Sequence, residues 1–397
     1  MSDSSAGTTP LVVALAKPIA EDLRAEIDEK LAHVSESVSR HALAADGASI
    51  HLELTAGADA ALVEAQVRAF LEPFVKRHRG VPREVVVDAR RPPKGAWGWD
   101  ALSASGFELE GPGHAVLHGA AYEVLQALDR RLVAIARATY AARPHQYPTM
   151  IALETLERAR YFASFPQHVT FPLHVRDDAA LITRLGATPL DRGELAGALA
   201  TPRHVLSPAV CFHTYLGLAD RRIDEGQVVT AAGRCFRYEG RNIATLERLW
   251  DFTLREIVFV GAAAWVEERR QAWVRETATL VDALGLDAWI ETASDPFFAP
   301  DAASKRYFQL VSQTKYELRL SLPYDGERSL AAASFNLHHD FFGRAFAIAL
   351  DGDVAHTACV GFGLERFVWA MFAQLGPDPR AWPTATRAAL RLDDTSA

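Results

Sequence analysis

Two segments, Cys235-Phe236-Arg237-Tyr238-Glu239 and, far downstream, Gly361-Phe362-Gly363-Leu364-Glu365-Arg366, each set one arginine in an apolar frame. A guanidinium keeps its charge at any physiological pH and presents a fork of N–H donors that matches phosphate oxygens. Two separated arginines therefore suit the two ends of a triphosphate. The residues of 235–239 alternate, which predicts Arg237 and Glu239 on one face of a strand and Phe236 and Tyr238 turned to the core. Arg237 then suits an α-phosphate, while Glu239 can accept a hydrogen bond from an amine such as adenine N6. Arg366 follows a Gly-Phe-Gly turn at a predicted helix start, where unpaired N–H groups and the helix dipole also favour anions. Either segment alone is weak, since Gly-x-Gly is often a tight turn and Arg-x-Glu a surface pair. Their combination is what carries weight.

The chain that must position these residues has 397 of them, enough for one large domain and a smaller one. Hydrophobic residues at 49% and charged residues at 23% are ordinary for a globular enzyme. A net charge of −8 argues against nucleic acid as the main partner, because phosphate backbones call for a basic face. Three cysteines make no disulfide framework, the first residues carry no signal-peptide pattern, and no apolar run reaches membrane-spanning length. The expectation is a soluble cytoplasmic protein with no membrane partner.

Residues 1–90 read as a small N-terminal α/β domain of βαβαβ type: a strand at 11–16, a helix at 18–45, a strand at 50–56, a helix at 58–79 and a strand at 83–89. The Arg91–Gly95 segment reads as a boundary. From 113 to 397 the pattern predicts an α+β domain on a mostly antiparallel sheet flanked by helices, with helices at 116–142 and 262–284 and another starting at Gly363. Only the last few residues read as frayed, and no motif in residues 1–90 carries recognisable chemistry.

The two arginine segments resemble, in order, motifs 2 and 3 of the class II aminoacyl-tRNA synthetases, and the resemblance spans roughly residues 140–397. Three more segments are similar to seryl-tRNA synthetase: Leu206–Cys211, Lys315-Tyr316-Glu317-Leu318, and Asn336–Arg344. The resemblance implies that Arg237 holds the α-phosphate and Arg366 the γ-phosphate of ATP. It implies further that Arg248 and Phe252 line the returning strand, Phe252 stacking on adenine, and that Lys315, Ser334 and Asn336 face the substrate. Cys211 and Cys359 fall within these motif frames, and Glu256 follows Phe252 on the same face by the two-residue period. Two thiolates and one carboxylate with an open fourth position suit Zn²⁺. The pattern resembles the atypical zinc-dependent seryl-tRNA synthetases and their carrier-protein-directed relatives. The stretch Leu330–Ser334 has no carboxylate where the ordinary seryl enzyme has a Mg²⁺ ligand, leaving Glu317 and Ser334 as candidates, and Arg319 stands where that enzyme is acidic.

Residues 1–90 are neither long-coiled nor strongly basic, and Phe162–Gln167 is similar to the truncated relatives, the amino acid:carrier-protein ligases. That resemblance implies activation of a small amino acid, glycine or alanine, by ATP and transfer to the phosphopantetheine thiol of a small acidic carrier protein. The class II resemblance also implies a homodimer paired around Pro148, and the segment 262–292, additional to the shared class II core, is the expected carrier-docking surface. A zinc-dependent seryl-tRNA synthetase, disfavoured by the charge and the missing basic arm, and an inactive regulatory paralogue are the alternatives.

Overall fold

The computed structural model describes residues 8–77, 80–187, 191–240, 245–297, 302–326 and 328–392. Its centre is a ten-stranded sheet. The path runs Val85–Ala89, Ala288–Thr292, Lys315–Ser321, Ser329–His339, His356–Gly363, Asp251–Gly261, Gln227–Phe236 and Arg143–His145, with the hairpin Phe107–Gly111 and His114–Leu117 attached to the 251–261 strand. The main pairings are antiparallel, and only the short 143–145 and 114–117 strands join in parallel. This matches the α+β expectation.

Period 2 sorts the strand residues onto two faces. Ile257, Phe259, Phe335, Leu318, Val360 and Phe362 are fully buried against the helices Gly119–Tyr140, Ala263–Leu284 and Leu364–Leu375. Removing a side chain of this size from water contributes about 1.5–3 kcal/mol, so this face is the main source of stability. The 364–375 helix is buried on nearly every side, as an all-round apolar helix must be. The opposite face of the sheet carries a second apolar cluster, which includes Tyr215, Val258, Phe342 and Cys359, and beside it a polar strip.

The N-terminal layer departs from the expected βαβαβ unit. Strands Thr9–Ala14, Val38–Leu43 and Ser49–Leu54 form an antiparallel sheet backed by helices Glu21–Leu31 and Ala60–Arg77. The helix expected over 18–45 stops at Leu31, because Val34-Ser35-Glu36-Ser37-Val38 joins β-branched residues to serines that compete for backbone hydrogen bonds. The strand expected to close this unit, at 83–89, lies instead on the edge of the large sheet beside Ala288–Thr292. The 262–292 segment is built into the core of the domain. Its helix covers the core face, burying Val266, Trp273, Val274 and Val281, and its strand is part of the sheet. The tail expected to fray, 393–397, lies outside the described residues. No helix among the described residues is long and apolar enough to cross a membrane.

Candidate active site and metal-ligand cluster

Strand register assembles the polar strip. Glu317 pairs with Ser334, Ser334 with Gly361, and Gly361 with Glu256, giving one row across four strands. Two residues along, Lys315 pairs with Asn336 and Asn336 with Cys359. Four separated sequence segments thus meet side by side on the sheet face opposite the helical core.

At one end of these rows the ligand atoms of Cys211, Glu256 and Cys359 all lie within 4.8 Å of one another, and all three residues are buried. Cys211 starts a short helix, Cys211–Gly217. Pro208 ends the Val205–Leu206 ladder, and the Ser207 hydroxyl donates to the Ala209 carbonyl at 2.8 Å, turning the chain toward Glu256. The Cys211 N–H then donates to Glu256 Oε2. Burial, reinforced by Cys359, pushes the Glu256 carboxyl up to about 8. The hydrogen bond between the two thiols pushes Cys211 up and Cys359 down. Three buried acidic donors cannot all ionise in so small a volume unless a cation joins them. Their chemistry and spacing fit a thiolate-preferring divalent metal with a position left for a further ligand.

The arginines occupy a second region of the same face. Arg237 follows the last residue of the 227–236 strand, and its N–H still donates to the Trp250 carbonyl at 2.9 Å, so the pairing outlasts the strand. Its Nε donates to the Pro208 carbonyl at 2.9 Å and its guanidinium lies 5.5 Å from the centre of the Phe252 ring. The Arg366 side chain makes no hydrogen bond or ion pair at contact distance among the described residues. Burial, with Arg248 and Arg237 close by, holds its guanidinium below the ordinary value despite the opposing pull of Glu239. Arg248 Nη1 bridges Glu239 at 2.7 Å and Glu29 of the N-terminal layer at 2.6 Å. Burial would raise Glu239, but Arg366, Arg248, His168 and Arg237 together hold it below the carboxylate range. Tyr238, expected in the core, is exposed and packs edge-on against Trp250 at 4.9 Å, because the strand ends before it.

Lys315 is fully engaged. Its Nζ reaches Asp295 Oδ1 at 2.7 Å and Glu317 Oε1 at 3.0 Å, and Glu317 also faces Arg319 at 3.7 Å. Asn336 Nδ2 donates to Ser334 Oγ at 3.1 Å and to Cys359 Sγ at 3.6 Å, which ties the 334–336 stretch to the Cys211, Glu256 and Cys359 cluster. Cys235 is a core residue, wholly buried with Val210, Ala231 and Leu254. Three supporting residues escaped the sequence reading. Asp295 comes from an irregular stretch that offers no pattern. His338 Nε2 lies 3.8 Å from Cys359 Sγ, and the 334, 336, 338 alternation carried that signal. Glu365 accepts from the Thr253 N–H at 2.8 Å and so pins the helix that bears Arg366 to the 251–261 strand.

No family profile matches the chain. Two proteins of Bradyrhizobium diazoefficiens, amino acid:acyl-carrier-protein ligases 1 and 2, are 34% and 35% identical over 254 and 261 residues. The matches cover 62% and 63% of this chain and 76% and 75% of theirs. The type-2 serine–tRNA ligase of Methanococcus aeolicus is 28% identical over 249 residues, which are 60% of this chain but only 48% of that longer protein. Among solved structures, the M. kandleri SerRS in complex with A. aeolicus tRNASec superimposes with a TM-score of 0.69 at 21% identity, covering 97% of this chain and 77% of that one. The cytoplasmic serine–tRNA ligase of Naegleria fowleri in complex with AMP gives 0.56 at 14% identity, over 78% of this chain and 64% of its own. These likenesses establish a class II synthetase fold.

Proposed function

The chain belongs to the amino acid:acyl-carrier-protein ligases, and from that premise we propose that it activates a small amino acid, glycine or alanine, and loads it onto the phosphopantetheine thiol of an acidic carrier protein. The observation that carries the nucleotide half is the pair Arg237 and Arg366. Neither is hydrogen-bonded or ion-paired at contact distance to a carboxylate among the described residues, and both lie close to Glu239, with Phe252 beside Arg237. Positive charge that is partly buried and has no carboxylate bonded to it is stabilised further by a bound polyanion.

In the first step an oxygen of the substrate carboxylate attacks the α-phosphorus of ATP, and the bond to the pyrophosphate oxygen breaks with its electron pair leaving on pyrophosphate. Arg237 stabilises the charge that develops at the α-phosphoryl group, Arg366 holds the γ-phosphate, and Phe252 supplies a face for adenine. Glu239 and Arg248 complete the nucleotide wall, with Mg²⁺ expected on the phosphates. In the second step the carrier thiolate attacks the adenylate carbonyl, forming the C–S bond as the C–O bond to AMP breaks, and the thiol proton passes to solvent.

Cys211, Glu256 and Cys359 would hold Zn²⁺, which when bound would supply a Lewis acid for the lone pair of the neutral α-amino group. Asn336 and Ser334 line the floor beside it, and Lys315 keeps Glu317 and Asp295 in place. A homodimer joined near Pro148 fits the exposed edge strand Arg143–His145. The test is transfer of radiolabelled glycine or alanine to a phosphopantetheinylated carrier protein, giving a bond that hydroxylamine cleaves. Serine charged onto tRNA in its place would make the chain a zinc-dependent seryl-tRNA synthetase.

A further inference from the structure

Helix Glu21–Leu31 has two working faces. Leu23, Ile27 and Leu31 are buried against the N-terminal sheet. The stripe at 22, 26, 29 and 33, which is the spacing of one helix face, meets the catalytic body instead. Asp22 Oδ2 and Glu26 Oε2 each lie 3.1 Å from the buried Arg306, on the 302–311 helix. One turn on, Glu29 reaches Arg248. His33, just past the helix end, stands edge-on to Tyr238 at 6.5 Å. The approach is tight enough that a Cβ on Gly240, at φ +65°, would lie 3.0 Å from the His33 ring. The last two contacts fall on the hairpin that carries Arg237, Glu239 and Arg248.

We propose that Glu29 is a positioning residue of the nucleotide site, contributed by the N-terminal layer, and that seating of this layer and binding of ATP are therefore thermodynamically linked. The inference rests on the nucleotide reading above. Among the described residues, the side-chain hydrogen bonds of Arg248 run through Nη1 alone, to Glu29 and Glu239. The Nη2 and Nε edges of its rigid fork stay available for phosphate oxygens. Two carboxylates on one nitrogen hold the fork in place before the nucleotide arrives, and Glu29 is the one anchor that comes from outside the catalytic domain. Because linkage is reciprocal, ATP on Arg248 must tighten the helix, and a partner that lifts the helix must weaken ATP.

The experiment uses the full-length protein and ATP. Hydrogen–deuterium exchange across residues 21–33 should slow when ATP is added to the wild type and not when it is added to Glu29→Gln. Glu29→Gln should raise KM for ATP by about 3- to 10-fold, the effect of one charge-assisted hydrogen bond in a half-exposed site, with kcat changed by less than about twofold. In an Arg248→Gln background, Glu29→Gln should have no further effect on KM, since Glu29 acts through Arg248. Additive losses in both backgrounds, or normal KM in Glu29→Gln together with unchanged ATP protection, overturn the inference while leaving the nucleotide site standing. A wild-type protein that binds no ATP overturns both.

Discussion

Glu256 and Gly361 are direct register partners on neighbouring strands, and a Cβ added to Gly361 would lie 3.4 Å from Glu256 Oε1 and 3.8 Å from Ser334 Oγ. The glycine leaves the space in which the Glu256 carboxylate and the Ser334 hydroxyl approach each other. Gly361→Ala should keep its metal, because the added methyl makes ordinary contact. Gly361→Val should displace the Glu256 carboxylate and lose most of the bound metal. Metal content per chain of the two purified variants measures this, and a Gly361→Val protein with full metal would refute the crowding argument.

The metal itself is tested by its ligands. The wild type should carry about one Zn²⁺ per chain, as a single three-ligand site requires. Cys211→Ser, Glu256→Ala and Cys359→Ser should each lower that content and abolish adenylate formation. Chelation should lower Tm reversibly, because the ion binds the folded state. Stoichiometric zinc in a fully active Cys211→Ser/Cys359→Ser double variant would rule the cluster out.

Activity and stability should separate at the arginines. Arg237→Ala and Arg366→Ala should each reduce amino-acid-dependent pyrophosphate exchange by about 10²-fold or more, as expected for removing a charge that stabilises the transition state. The Arg366 side chain has no ion-pair partner within contact distance among the described residues, and the burial of its charge outweighs the pull of Glu239, so Arg366→Ala should unfold at an unchanged or higher temperature. A large fall in Tm would mean that Arg366 holds the fold together.

Lys315 behaves in the opposite way. Burial opposes its charge, yet Asp295 and Glu317 keep the ammonium above its usual range. Lys315→Met leaves those two carboxylates without their shared cation and should cost about 3–5 kcal/mol, the penalty for breaking a buried ion pair. Urea unfolding of the two proteins measures the difference, and a loss below about 1 kcal/mol would match an exposed pair instead.

His168 sets a pH dependence. Burial lowers its imidazole from 6.5 to about 4, and the ring stacks on Phe165 at 5.6 Å. The folded state holds it neutral, so there is no penalty above the unfolded value of 6.5. Stability is lost as pH falls from there through about 4, where the unfolded chain binds the proton first. The difference of 6.5 minus 4 corresponds to about 3 kcal/mol across that window. His168→Gln should flatten this part of the stability profile, and an unchanged slope in the variant would assign the effect to another group.

The sequence by itself determined which residue types are on hand for chemistry and the class of sheet that carries them. Arginines, cysteines and glutamate are chemically specific residue types, and their local frames are short enough to read. The two-residue period that predicted Glu256 on the Phe252 face is a property of any strand. The long helices at 119–140 and 263–284 and the one after Gly363 were legible because their apolar residues recur at helical spacing over many turns. Tertiary structure decided what local pattern cannot encode. Strand pairing brings Gly361, Ser334 and Glu317 into one row with Glu256, although register between distant strands is fixed by packing and not by either strand alone. Val85–Ala89 has the same β propensity in either sheet, and only the available edge beside Ala288–Thr292 placed it in the large one. Asp295 and Glu29 carry no motif. Their roles arise because folding sets each carboxylate against a cation far away in sequence, Lys315 and Arg248, where partial burial makes the pairing count.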